Sequence, residues 1–323
     1  MTDEVDDLWG KFQPLYADAP SGTNFFTERP LVAHYTSLYN LEKILTHNQL
    51  WFSNPLFMND MEEVRFGLIN GTKICRESKP IRDAFGTEER FSKFVYYLDH
   101  YLSEFDSKHL LDTYIFCLSE HDRDNNDGLL SMWRGYGANG NGVALIFDPA
   151  NMTEMRQTPL VISKVVYGSV ADRLKWIEEA IPRFCDIVNR SNISDDNIFI
   201  PAYAIFSRIK LFSVFTKHTG FKEEREWRIA YFSEMDSSKS LTSMLSYHIS
   251  SRGVEPKLKL TIEPIDGIIA PEATLEKLIH KIILGPTTSS ELAYRSIKRM
   301  LELIGKDCLK ERVVASTIPF RAI

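Results

Sequence analysis

Glu224, Glu226 and Arg228 stand two residues apart in the run Lys222-Glu223-Glu224-Arg225-Glu226-Trp227-Arg228. If that run is a strand, alternation sends these three to one face and Arg225 and Trp227 to the other. Two carboxylates and a guanidinium are expensive to bury unless they pair. The apolar continuation Ile229-Ala230-Tyr231-Phe232 argues against a wholly exposed strand, so the pattern points to a cleft. A solvated edge strand with cross-strand ion pairs is the competing reading.

Three further motifs carry polar groups at strand ends. His34-Tyr35-Thr36 precedes a helix and offers a ring nitrogen and a hydroxyl beside a helix N-terminus, where an anion is favoured. Phe52-Ser53-Asn54-Pro55 leads into Asn59-Asp60-Met61-Glu62, a dense polar loop that can close over a ligand or simply cap the next helix. Asp60 and Glu62 are too few to hold a divalent ion, so no metal is expected. Trp133-Arg134-Gly135-Tyr136-Gly137 offers two aromatic rings as a stacking platform, although such rings are more often core. Gly137, Gly140 and Gly142 then permit tight turns and close approach of backbone to a ligand. The spacing is not that of a phosphate loop.

The elements that must position these residues alternate along the chain. LVAHYT reads as a strand, Ser37 as an N-cap, and Leu38, Leu41, Ile44 and Leu45 as one helical face. LWFSNP, TYIFCLS, GVALIFD, LVISKVVYG, EREWRIAYF, IDGIIA, IILGP and VVASTI read as strands. MEEVRFGLINGTKIC reads as a helix broken near Gly71, and 79–112, ATLEKLIHKI and ELAYRSIKRMLELIG as helices. Pro182 is expected to kink or split the helical stretch at 170–218. Residues 233–257, rich in Ser, Asp and Lys, read as a loop or insertion. The expected fold is therefore mixed α/β (α+β), a central sheet mostly antiparallel or mixed, with flanking helices and a helical insertion. The expected domains are a peripheral segment at 1–30 and a single α+β domain at 31–323, with the insertion at about 170–218.

The composition suits a soluble body. Hydrophobic residues make up 44% and charged residues 25% of 323, enough for a core without staples. The net charge of −6 argues against nucleic-acid binding through the whole surface but leaves a local basic groove open. Cys75, Cys117, Cys185 and Cys308 form no CxxC pair, which fits reduced thiols in the cytoplasm. No membrane span and no signal peptide are expected.

Taken together, HYTSLYNLEKILTHNQLWFSNP, FMNDMEE, FCLSE, MWRGYGANGNGVALIFD, the EREWRI strand and IIAPEATLEKLIHKIILGP resemble a bacterial family called domain of unknown function 2971. The opening, with His-x-Thr on a first strand, a helix and a second strand, also resembles ADP-ribosyltransferase-like proteins. That resemblance implies NAD as cofactor, Glu226 stabilising an oxocarbenium-like ribose, Glu224 orienting the acceptor, and His34 as a ligand-binding histidine. Tyr136 would be a stacking residue. The nucleotide would be held by His34, Tyr35, Thr36, Ser53, Asn54, Trp133, Arg134, Tyr136 and Arg228. The chain departs from the family pattern at Tyr35 and in the helical stretch at 170–218.

The expected function is thus an NAD-dependent ADP-ribosyltransferase-like enzyme, or an NAD glycohydrolase, acting on a protein or nucleic-acid acceptor, with a place in stress or phage defence. A non-catalytic nucleotide or nucleic-acid sensor is the alternative, with Arg134, Arg225 and Arg228 on phosphates. A magnesium nuclease using Asp60, Glu62, Glu224 and Glu226 is a third. The geometric expectation is that His34, Ser53, Trp133, Tyr136, Glu224, Glu226 and Arg228 line one cleft.

Overall fold

A computed structural model describes residues 2–20, 23–58, 61–109, 111–151, 158–250 and 253–320. Its strands are β1 (Val32–Thr36), β2 (Gln49–Ser53), β3 (Thr113–Glu120), β4 (Val143–Phe147), β5 (Leu160–Lys164) and β6 (Val166–Gly168), then β7 (Thr216–His218), β8 (Glu226–Phe232), β9 (Leu245–Ser250), β10 (Gly253–Thr261), β11 (Ile279–Leu284) and β12 (Val313–Ala315). The chain divides into two compact units, each assembled from three separate segments: 1–20, 55–113 and 165–221, and 21–54, 114–164 and 222–323.

The second unit holds a ten-stranded sheet in the order β12-β11-β4-β1-β3-β2-β10-β9, with β8 joining β3 to β5. β1 pairs antiparallel with β3 and β4, β2 with β3 and β10, β9 with β10, β11 with β4 and β5 with β8, whereas β11 and β12 are parallel. The mostly antiparallel or mixed sheet expected from the sequence is therefore present. One face carries the large core: Val32 of β1, Phe52 of β2, Phe116 and Leu118 of β3, Leu145 of β4, Trp227 and Ile229 of β8 and Leu258 of β10 all join it. The helix Leu38–His47 adds Leu41, Ile44 and Leu45, and Ser37 caps it by accepting from the Asn40 amide at 3.1 Å. A smaller cluster on the other side of β1 contains Ala33, Tyr35, Met132 and Trp133.

The first unit is helical. Helices Met61–Glu77, Glu88–Glu104, Ile181–Arg190 and Phe199–Val214 bury Leu68, Phe94, Phe184 and Ile205 in one core with Phe12 and Leu15. Pro182 opens the helix Ile181–Arg190, where a missing amide costs nothing, and so splits the stretch as the sequence suggests. The expected break at Gly71 is absent. The helix runs through it, and a Cβ there would sit 2.8 Å from Ile209, so the glycine serves close helix packing. Buried Arg208 donates to both carboxylate oxygens of Asp18 at 2.8 Å and holds the N-terminal segment to this unit. The stretch Asp195–Val214 is long and apolar enough to cross a membrane, but 72% of that window is buried within the protein, the signature of a core helix.

Further sequence readings change. ATLEKLIHKI is helical only over Leu275–Leu278, and Ile279 opens β11. Residues 233–257 contain β9 and the start of β10, a hairpin rather than a loop. IDGIIA forms a turn closed by an Ile265–Ile269 bridge. LVISKVVYG splits at Val165, and β6 pairs with β7 in a separate two-stranded sheet.

Candidate functional site

The polar residues gather around β3, whose edge is shared. β1 pairs with it only at Glu120 and Ser119, and β2 only at Ile115. Cys117 lies between those two contacts. Its carbonyl accepts a hydrogen bond from His34 Nδ1 at 3.0 Å, and the imidazole stacks on Phe116 with ring centroids 4.3 Å apart. A carbonyl only accepts, so Nδ1 carries the proton and Nε2 is left as an acceptor. Burial, with help from the Lys257 ammonium, lowers the His34 pKa to about 4, so the ring is neutral near pH 7.

Ser53 stands at the end of β2, opposite Lys257 in the register of β2 with β10. Phe52 and Leu258 face the large core, so Ser53 and Lys257 face the other way. Lys257 donates to Ser53 Oγ at 2.7 Å and pairs with Glu255 at 3.1 Å; both charged residues are buried. Asn54, next in the chain, is also fully buried.

β8 runs along β3 in the opposite direction, as the contacts Tyr114–Tyr231 and Glu120–Arg225 at its two ends require. Trp227, Ile229 and Tyr231 enter the large core, which leaves Glu226 and Arg228 on the face shared by Ser53 and Lys257. Arg228 Nε and Nη2 donate to the two oxygens of Glu226 at 2.9 and 3.0 Å. Both side chains are buried, as the cost of an isolated charge demands. Glu224 does not belong to this strand. Arg225 adopts a left-handed backbone (φ 45°), and Glu224 lies on the 3-10 turn before it. The kink takes Glu224 out of the alternation with Glu226. Its carboxylate accepts from the Tyr136 hydroxyl at 3.0 Å, and its backbone carbonyl from Ser119 Oγ at 2.6 Å.

Trp133 is not a stacking platform. It is fully buried, donates Nε1 to the Asp127 carbonyl at 2.7 Å, and packs edge-on against Tyr35 at 4.9 Å. Tyr35 is likewise core; its hydroxyl accepts from the Leu129 amide at 2.9 Å. Thr36 is buried and accepts from Asn40 Nδ2 at 2.9 Å. Arg134 is exposed and lies over the Phe320 ring. Gly142 serves close approach to the chain itself, because a Cβ there would lie 2.2 Å from the Thr36 carbonyl oxygen. Thus Ser53, Glu226 and Arg228 share a sheet face and Glu224 with Tyr136 forms a second pair, but His34, paired with Leu145 and stacked on Phe116, stands on the opposite, large-core face, so the single cleft expected from the sequence is divided. Trp133 and Tyr35 belong to the smaller core cluster, against which Tyr136 packs. Asn59 and Asp60 lie outside the described residues, and among the described residues no three His, Cys, Asp or Glu side chains gather as a metal site.

Residues 132–229 match the model of a family described as protein of unknown function (DUF2971). That match covers 98 of the 323 residues, and over it the chain resembles the DUF2971 family. No curated protein and no solved structure matches the chain. The DUF2971 segment contains Tyr136, Glu224, Glu226 and Arg228, while His34, Ser53 and Lys257 lie outside it.

Sequence reasoning missed Lys257 and Glu255, because the hairpin that presents them was read as a loop. The alternation in Leu245-Ser246-Tyr247-His248-Ile249-Ser250 was the available signal. It also missed the cluster around Glu120, which accepts from Trp227 Nε1 at 3.1 Å, Arg225 Nε at 3.0 Å and the Lys164 ammonium. Burial pushes Glu120 up, but these donors outweigh it and hold its carboxyl below the ordinary value.

Proposed function

We propose that the sheet unit binds NAD and breaks the bond between its ribose C1′ and nicotinamide, passing ADP-ribose to a macromolecule or to water. Nicotinamide leaves with the bonding electron pair, and the acceptor loses a proton as its bond to C1′ forms. The observation that carries this reading is the sheet face on which Ser53 of β2 stands with the buried Glu226 and Arg228 of β8. Ser53 offers its hydroxyl to a ribose hydroxyl from that face; His34 lies on the opposite face and takes no part in this reading. Glu226 is a preplaced, desolvated carboxylate of the kind that stabilises a cationic ribose without reorganising. Glu224, oriented by Tyr136, positions the acceptor.

A non-catalytic nucleotide sensor is the second reading. It is favoured by the bidentate Arg228, which already engages both oxygens of Glu226.

Incubating the full chain with nicotinamide-labelled NAD separates the readings. The transferase reading expects released nicotinamide, with at least a hundredfold loss in Glu226→Gln, on the order of one electrostatic catalytic group. Ser53→Ala should also lose turnover, and near-ultraviolet circular dichroism reports whether each variant keeps its packing. No nicotinamide release with protein, DNA or RNA present, together with a thermal shift by intact NAD, would establish the sensor instead.

A further inference from the structure

The face of β2 and β10 that carries Ser53 and Lys257 continues outward into a row of aromatic rings. Trp51 lies on that face, two residues before Ser53, with Lys259 directly opposite in register. His248 of the neighbouring β9 sits 5.4 Å from Trp51, ring centre to ring centre. Tyr39, from the first turn of the helix Leu38–His47, follows at 6.0 Å from His248 and is 56% exposed. The lysines flank the row: Lys259 Nζ is 4.7 Å from the centre of the Trp51 ring, and Lys43 Nζ is 5.5 Å from that of Tyr39. Burial against the indole lowers the Lys259 pKa.

None of these rings belongs to a core cluster. Leaving Trp51 and Tyr39 partly in water forgoes the burial that usually retains such residues. Placing an ammonium over each at once supplies π faces and positive charge, the two features by which single strands are held. An exposed cation–π contact is weaker than base stacking, so a base can displace each lysine onto a phosphate. An acidic peptide would use the lysines but not the rings. The chain as a whole carries −6, so the attraction is local to this patch.

We propose that the Tyr39–His248–Trp51 row, with Lys43 and Lys259, binds single-stranded nucleic acid; this names the acceptor class of the proposed reaction and in that respect rests on it. The test uses the full chain without NAD and measures anisotropy of fluorescein-labelled oligo(dT) and oligo(rU). Binding is expected, with a log–log salt slope of about −1.4 for two phosphate contacts. Trp51→Ala and Tyr39→Ala should each weaken it about tenfold or more, by loss of one stacking partner. Lys259→Gln should flatten the slope, and Tyr247→Ala, on the opposite face of β9, should change nothing. Trp51→Phe, which retains a ring, should restore most of the affinity. The inference is overturned if neither oligonucleotide binds, if both alanine variants bind like the parent, or if poly-glutamate competes as well as the oligonucleotides. Nicotinamide release is assayed in parallel. Oligonucleotide binding without NAD turnover removes the enzymatic reading alone, and turnover without such binding removes this inference alone.

Discussion

At the scale of single residues, the site is governed by the cost of desolvating charge. Glu226 and Arg228 are buried together, so removing one partner leaves the other uncompensated. Arg228→Met is expected to cost about 3–5 kcal/mol, whereas the double replacement by methionine should cost clearly less than the two single changes combined. Urea unfolding of the four proteins in that cycle measures the difference, and strict additivity would show that the pair is uncoupled. His34 gives a second residue-level expectation. Its pKa falls from 6.5 unfolded to about 4 folded, chiefly through burial. Above about pH 6.5 both states hold a neutral ring. Between that pH and about 4 the unfolded chain takes a proton that the folded chain refuses, so stability declines as pH falls through this window, by about 3 kcal/mol at most, and levels off below it. His34→Gln should lack this component while keeping a donor for the Cys117 carbonyl. Urea midpoints at about pH 7, 5.5 and 4.5 test it, and parallel pH profiles for parent and variant would refute the assignment.

At the scale of elements, local signals were read well wherever local chemistry decides the structure. Ser37 was legible as a cap because its hydroxyl needs only the amide three residues on. β2 and β8 are legible from residues alternating with a strand's period, and β4 from a short unbroken apolar run. What escaped depends on partners distant in sequence. Nothing local says that β1 and β2 share one edge of β3, or that Arg225 takes a left-handed conformation that removes Glu224 from the strand. The choice between core and platform for Trp133 turns on such partners too: its indole is covered by Tyr35, almost a hundred residues earlier, and bonded to the Asp127 carbonyl. The Gly-rich connection is a similar case. Gly142 exists for the end of β1, since its hydrogen faces the Thr36 carbonyl where no methyl fits. Gly142→Ala should therefore destabilise the sheet unit by about 2 kcal/mol or more, within the usual range for overpacking. Thermal unfolding checks this, and an unchanged midpoint would mean that β1 and β4 separate more easily than their register implies.

At the scale of the whole molecule, both units are built from segments that leave and return, which sequence periodicity cannot register. The expected fold class holds because class depends on the kinds of elements present, whereas their grouping depends on which distant segments pack together. The DUF2971 match illustrates the consequence. Residues 132–229 supply β4, β5 and the first four residues of β8 to the ten-stranded sheet, together with the whole 165–221 segment of the helical unit. They omit β1 and β11, the two neighbours of β4, and β3, a neighbour of β8. All five residues of β4 and all seven of β8 are buried in the intact chain. In the isolated segment those strands would expose apolar edges and faces with no covering partner, and the buried Glu226–Arg228 pair would lose its surroundings. The helices at 181–190 and 199–214 would likewise lack Phe12, Leu68 and Phe94 of their core. A fragment spanning 132–229 is therefore expected to be unfolded or aggregated, with strong dye binding to exposed apolar surface and no cooperative melt, while the full chain unfolds cooperatively. Size-exclusion chromatography and calorimetry on the two proteins decide it. A monomeric fragment with a sharp transition would show that the matched segment carries its own core, and that the contributions of β1, β3 and β11 are dispensable.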